Sequence, residues 1–271
     1  MNWYKLISYD IRFGLVRKRN ILSVFQFILI GLSYWRRSQR VLLGKLGCDY
    51  LIYIFSGIKP ITNAEEFVMP IIWLQIMCCP LYLNLNYPRD DLTSFGLQSL
   101  IRTQKRRQWY ICKCIWSAIS SVVYFTIAGI VAFALPLLLQ KDSTLSFMRY
   151  SVVDSGIQAI YQIGIAEMTE IYFAPLLNII AINMLQMTLS FFVKEVYAFI
   201  CCLSFLILSV YMPSALILGN GAMIIRSELY GVGVSAISSY ATVIVSLIMV
   251  VLSVIIGIVR FKRFDILSVD Y

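Results

Sequence analysis

Few residues in this chain have side chains able to do chemistry, and their types narrow the choices. There is no histidine among the 271 residues. That removes Ser–His and Cys–His nucleophile pairs and histidine-ligated metals. Of the seven cysteines, Cys78, Cys79, Cys112, Cys114, Cys201 and Cys202 fall in or at apolar runs and read as small buried hydrophobes. Cys112 and Cys114 are spaced C-x-C in a helical run, so they point to different faces and make a poor metal clip. Cys48 alone falls in a segment expected outside the membrane, without an obvious partner, and no disulfide framework is expected. The pair Glu65-Glu66 suits an intramembrane protease only if histidines supply metal or base work. No G-x-x-x-x-G-K-[ST] loop occurs, so ATP hydrolysis by that route is not expected of this chain. These observations point away from an enzyme, a resident cofactor or a metal site.

The elements that must carry function are apolar helices. Hydrophobic residues make up 60% of the chain and mean hydropathy is +0.80, against about 45–50% apolar residues in a soluble domain. Charged residues are 14%, as lipid demands, since a charge at mid-bilayer costs about 3 kcal/mol even on lenient scales. The net charge of +9 reads as the Lys/Arg bias of cytoplasmic loops rather than as nucleic-acid binding. The expected fold is an all-α polytopic membrane protein forming a single transmembrane domain, 1–271. Residues 1–19 are an amphipathic elbow helix lying in the membrane interface, with Trp3, Tyr4, Ile7 and Ile11 on its lipid side. Its charges argue against a signal peptide. Spans 1 and 2 fall within 20–86, at about Ile21–Trp35 and Phe67–Asn86. A polar segment follows at 87–108. Spans 3 to 6 fall within 109–259, at Trp109–Leu139, Ile171–Val193, Val196–Leu218 and Tyr240–Val259, before a basic tail at 260–271.

Between spans, residues 36–66 read as an outside loop whose apolar patch Tyr50–Phe55 lies at the interface, and 140–170 as a polar loop with weak helical character. Residues 219–239, with Gly219, Gly221, Gly231 and Gly233, form either a re-entrant hairpin or a loop. Fifteen of the 23 Lys and Arg residues fall on the side holding both termini, which puts both ends in the cytoplasm. Lys113, Lys194 and Glu195 sit at span ends, leaving the apolar cores nearly free of ionisable groups. Ion-coupled carriers usually need such groups, so the energy for any transport is expected from another subunit.

The most informative stretch is NYPRDDLTSFGLQSLIRTQKRRQWYICKCIW, Asn86–Trp116. After the Pro88 break come Arg89, Asp90 and Asp91. An amphipathic helix over Leu92–Ile101 then presents Leu92, Phe95 and Leu100, followed by the cluster Arg102, Lys105, Arg106 and Arg107. Ordinary topology charge accounts for the basic cluster, but less well for the two acids and the helix before it.

This stretch is similar to the cytoplasmic segment of permease subunits of bacterial type-2 ABC exporters. Asp91, Gly96, Gln98, Arg102, Arg107 and Lys113 match that family's acid, glycine, Leu-Arg, basic, aromatic and Lys pattern. The layout of elbow helix, six spans and a cytoplasmic helix between spans 2 and 3 also resembles the family. The resemblance implies an exporter subunit in a bacterial plasma membrane. It would pair with a second permease chain, identical or related, and with a separate ABC ATPase that carries ATP and Mg. Asp91, Phe95, Gly96, Gln98, Arg102, Arg106 and Arg107 would contact the ATPase. The family's cargo includes polysaccharides, lipids, drugs and antimicrobial peptides, and a stand-alone permease of this size fits peptide export or self-protection. A competing reading is a non-transporting immunity or scaffold protein that binds its partner within the bilayer, using the Ala128, Gly129 and Ala132 patch. A passive channel is least supported, since no filter-like motif or charge ring occurs.

Overall fold

The apolar runs are helical in the computed structural model, which describes residues 3–12, 19–38, 47–60, 67–92, 95–103, 105–140, 149–154, 157–228 and 236–264. In chain order come α1 (Trp3–Asp10), α2 (Arg19–Ser38), α3 (Gly47–Ile54), α4 (Ile71–Asn84), α5 (Tyr87–Leu92), α6 (Phe95–Thr103) and α7 (Arg106–Gln140). The hairpin β1 (Arg149–Asp154) and β2 (Ile157–Gln162) follows, then α8 (Ile165–Met168), a π turn at Thr169–Phe173, α9 (Ala174–Leu189) and α10 (Glu195–Tyr211). Two 3-10 turns, Asn220–Ala222 and Ile224–Arg226, lead to α11 (Ser239–Lys262).

Among the described residues, three stretches are long and apolar enough to cross a membrane: Arg106–Leu135, Ile165–Leu189 and Ser239–Lys262. The helices at the other expected spans are shorter or more charged. α4 has 14 residues and α10 has 17; at 1.5 Å per residue these reach about 21 and 26 Å, against a hydrocarbon core of about 30 Å. α2 has 20 residues but includes Arg19, Arg36 and Arg37.

α7 is the central element, packed by α2 and α3 along one side and by α9 and α11 along another. Pro80 lies inside α4. Lacking an N–H, it leaves the Ile76 carbonyl without its helical donor. The Tyr124 hydroxyl of α7 donates to that carbonyl at 3.0 Å, and the Tyr124 ring packs on Phe27 of α2 at 5.0 Å. One residue thus satisfies the carbonyl that Pro80 leaves open and ties three helices together. Tyr124→Phe keeps the ring but strands the Ile76 carbonyl, and should cost about 1–3 kcal/mol. Chemical denaturation in mixed micelles reads this directly, and an unchanged midpoint would show that the carbonyl has another donor.

Three segments differ from the expectations. Residues 140–170 hold an antiparallel hairpin, with Arg149 paired to Gln162 and Asp154 to Ile157. The apolar patch at 50–55, expected at the membrane interface, packs inside the bundle. It belongs to α3, whose Tyr50, Leu51 and Ile54 are buried, and the Tyr50 hydroxyl donates to the Phe27 carbonyl at 2.8 Å. Of the expected helix over Leu92–Ile101, Leu92 ends α5 and Phe95–Ile101 lie in α6, while residues 93–94 lie outside the described residues. The tail at 265–271, residues 229–235, the end of the expected elbow at 13–18 and the pair Glu65-Glu66 lie outside the described residues.

The expected span over Val196–Leu218 ends early, at Tyr211, because the chain turns back and packs into the bundle. Gly219 turns with φ +112°, open to glycine but strained for other residues, and its N–H donates to Asn178 Oδ1 of α9 at 3.0 Å. Trp73 of α4 donates to the Ala222 carbonyl at 2.9 Å. The N–H groups of Ile224 and Ile225 donate to the carbonyls of Phe55 and Ser56. Arg226 closes this assembly from the inside. It is 1% exposed and donates to the carbonyls of Ile58, Ser209 and Val210 and to Asn220 Oδ1 at 2.5–2.7 Å. Ser209 and Val210 belong to the last turn of α10, where unsatisfied carbonyls and the helix dipole favour a cation. Burial pulls the guanidinium down to about 10, so it stays charged at neutral pH.

Candidate functional site

At the opposite end of the bundle, the first turns of α7 build an internal ion cluster. Trp109, Lys113 and Trp116 recur on one helical face. Lys113 is 1% exposed, and an ammonium so placed needs compensation. Its Nζ meets Asp91 Oδ2 at 2.8 Å and also pairs with Asp10 Oδ1. The Trp109 indole donates to Asp91 Oδ2 at 3.2 Å, and the Tyr87 hydroxyl donates to Asp10 Oδ1 at 2.9 Å. The two rings also flank the ammonium, with centroids 4.9 Å (Tyr87) and 5.1 Å (Trp109) from Nζ. Tyr87 in turn stacks on Trp116 at 3.8 Å.

Local sequence brings the acids there. Asp10 is the last residue of α1. Asp91 lies in α5, where Pro88 is tolerated because the first helical turn needs no N–H donor. Gly96, near the start of α6, lies against Asp91, and a Cβ there would overlap the carboxylate. Two carboxylates face one ammonium, and burial holds the Asp10 carboxyl above its ordinary value, with Lys113 opposing.

Arginines join the remaining elements to this cluster. Arg89 of α5 meets Glu195 at 3.0 Å and donates to the carbonyls of Ser190 and Val193 at 2.8 and 3.0 Å, fastening the α9–α10 turn. Arg106 donates to the carbonyls of Lys262 and Phe264 just at the end of α11, and Arg260 donates to the Phe191 carbonyl. Each satisfies carbonyls that a helix end leaves open. Trp109 stacks on Phe261 at 4.7 Å, and Phe191 meets both edge-on. Tyr110 shares a hydrogen bond with Thr188 and lies so close to Gly257 that any Cβ there would overlap its phenol. Thus α1, α5, α6, α7, the α9–α10 turn and the end of α11 meet at one end of the molecule.

The residues picked out from the sequence divide between interior and surface. Asp91 and Gly96 are buried, while Gln98, Lys105 and Arg107 are exposed. Arg106 is half-buried and occupied by the end of α11. In α1, Ile7 is half-buried, and Ile11, just past its end, is exposed. The side chains of Trp3, Tyr4, Phe95 and Arg102 lie outside the described residues. Lys113, expected at a span end, lies two turns inside α7. Sequence reasoning missed Asp10, Tyr87, Trp109 and the Arg89–Glu195 pair. A signal did exist: Asp10 is the only acid before Asp49, and Lys113 the only charge in Trp109–Leu139. Isolated opposite charges in apolar surroundings ask for each other.

Elsewhere, the Cys48 sulfur is 2.7 Å from the Tyr172 hydroxyl, and none of the seven cysteines is joined in a disulfide. Ala128 and Ala132 are packed within the chain, whereas the position of a Cβ on Gly129 is open space.

A protein-family model described as "Protein of unknown function (DUF2705)" matches residues 22–267. The chain belongs to this family. No curated protein matches it, and no solved structure does. Within this DUF2705 chain the matched region holds Asp91 and Lys113 but begins after α1, so Asp10 reaches the cluster from outside it.

Proposed function

We propose that this chain is the membrane-spanning permease subunit of an ATP-driven type-2 ABC exporter, carrying a substrate across a bacterial plasma membrane. In this reading α2, α4, α7, α8–α9, α10 and α11 are six spans, α1 is the interfacial elbow and both termini are cytoplasmic. The observation that carries it is the convergence of α1, α5, α6, the α9–α10 turn and the end of α11 on the first turns of α7. Force applied to α5 and α6 there has a direct physical route to four other elements. Asp91–Lys113–Asp10 leads to α7 and α1, Arg89–Glu195 leads to α10, and Arg106 joins the base of α7 to the end of α11.

A separate ATPase, bearing ATP and Mg, docks on the exposed basic face around Gln98, Lys105 and Arg107. Its closure pushes α5 and α6, and the ion cluster transmits the push. Asp91 acts from inside as a strut rather than as a docking residue, and this chain supplies no chemical step.

The test is recovery of partners from the native host. An ABC ATPase should co-purify near stoichiometrically with the tagged chain. Lys105→Glu with Arg107→Glu should reduce that recovery at least several-fold while leaving thermal stability intact, since both side chains are exposed. Unchanged recovery would remove the basic face from the contact. Absence of any ATPase, with protection or assembly persisting, would favour the immunity or scaffold reading.

A further inference from the structure

From the ion cluster a line of buried polar groups runs into the middle of the bundle, along the seam where α4, α7 and α9 meet. Asn183 of α9 donates to Ser121 of α7 at 2.8 Å, and Gln186 donates to the Leu81 carbonyl of α4 at 3.0 Å. Ser120 of α7 donates to Asn84 Oδ1 at 2.9 Å. Those contacts leave atoms over. Asn183 Oδ1, Gln186 Oε1, Asn84 Nδ2, Ser117 Oγ, Trp116 Nε1 and Asp10 Oδ2 are all buried, and none has a hydrogen-bond partner within the described residues. An unmatched buried polar atom costs about 1–3 kcal/mol, and buried groups that stay unmatched are rare. Five of them lie on α4, α7 and α9, and the sixth, Asp10 Oδ2, lies on α1 beside Lys113; together they call for hydrogen-bond partners that the described residues do not supply.

The types of atom identify those partners. Trp116 Nε1 and Asn84 Nδ2 can only donate, Gln186 Oε1, Asn183 Oδ1 and Asp10 Oδ2 accept, and Ser117 does either. Rotating an amide exchanges the orphaned atom but leaves one orphan. A bare cation needs acceptors alone, and a lipid tail satisfies neither kind. Water donates and accepts, and it is held where two to four polar partners converge. We propose that the α4–α7–α9 seam binds a short chain of structural waters, reaching from the Asp10 carboxylate past Trp116 and Ser117 to Asn183. From Lys113 to Ser121 this path follows α7 for about 12 Å, at 1.5 Å per residue. The waters make α9 slide against α4 and α7 through exchangeable hydrogen bonds rather than interlocked apolar side chains. This inference is independent of the exporter reading and holds with or without an ATPase.

The experiment is microsecond X-ray hydroxyl-radical footprinting of the full chain in lipid nanodiscs, read by mass spectrometry. Radiolysis of bound water labels adjacent side chains even where bulk water is excluded. Trp116, only 2% exposed, should label at a rate within a few-fold of the exposed Tyr197 and Tyr240. Trp73, equally buried but donating to the Ala222 carbonyl, should stay silent. Ser117→Ala, a small change that removes one water ligand, should lower Trp116 labelling several-fold. Silence at Trp116 in the wild type, equal to that of Trp73, would overturn the proposal, as would labelling of Trp116 indifferent to Ser117→Ala.

Discussion

Replacing Lys113 with methionine is expected to destabilise the protein by about 3–5 kcal/mol, the range found when one partner of a buried ion pair is removed. Methionine keeps an unbranched stem, so the loss reflects charge more than volume. It leaves Asp10 and Asp91 facing each other, both buried and without their shared ammonium. Combining it with Asp10→Asn and Asp91→Asn removes the stranded charges and should recover most of the loss. If the single variant unfolds in mixed micelles at the wild-type denaturant midpoint, the cluster is not a structural node.

The pH dependence follows from the same geometry. The folded-state value for Asp10 lies above its ordinary 3.8, chiefly through burial. Between those two values the folded protein holds a proton that the unfolded chain has released. The contribution is therefore fully present below 3.8 and is lost as pH rises through the folded value. Relative to Asp10→Asn, the wild type should lose stability as pH climbs from 3.8. A wild type that gains stability over that window, relative to the variant, would contradict the assignment.

Arg226→Met is the second large effect. Charge-assisted hydrogen bonds contribute about 1.5–3 kcal/mol each, and the stranded acceptors add desolvation cost, so a loss on the order of 4 kcal/mol is expected. Arg226→Lys restores the charge but not the fork. A point ammonium does not reach Ile58, the end of α10 and Asn220 together, so it should recover less than half. Limited proteolysis should then open first at 212–228, while the Asp10–Lys113 end keeps its protection. Simultaneous cleavage at both ends would mean that Arg226 stabilises the whole molecule rather than this segment.

The membrane-capable helices were legible because lipid leaves few ways to write them. Ser239–Lys262 lies within a few residues of the expected Tyr240–Val259. The hairpin at 149–162 was not, because six-residue strands offer too few alternations to stand out beside an apolar background. α3 read as interfacial because an apolar run of that length is equally consistent with core and with membrane surface. In the ion cluster, Asp91 and Lys113 stood out through the family-like pattern, but their roles did not. Spacing says nothing about which cation an acid will meet 103 residues away, as Asp10 meets Lys113. Pro80 announced an orphaned carbonyl, but the donor, Tyr124, belongs to another helix and depends on packing.

That separation of 103 residues also sets an order in time. Asp10 leaves the ribosome long before its cation exists. At synthesis rates of about 5–20 residues per second, the wait is roughly 5–20 s. Tyr87 follows Asp10 by 77 residues, so for most of that wait α1 has neither Tyr87 nor Lys113 to receive its carboxylate. The N-terminal helix therefore cannot seat its carboxylate before the first turns of α7 exist, although it is the first element to be made. A nascent chain arrested before residue 113 would hold α1 open to the machinery that inserts or degrades membrane proteins.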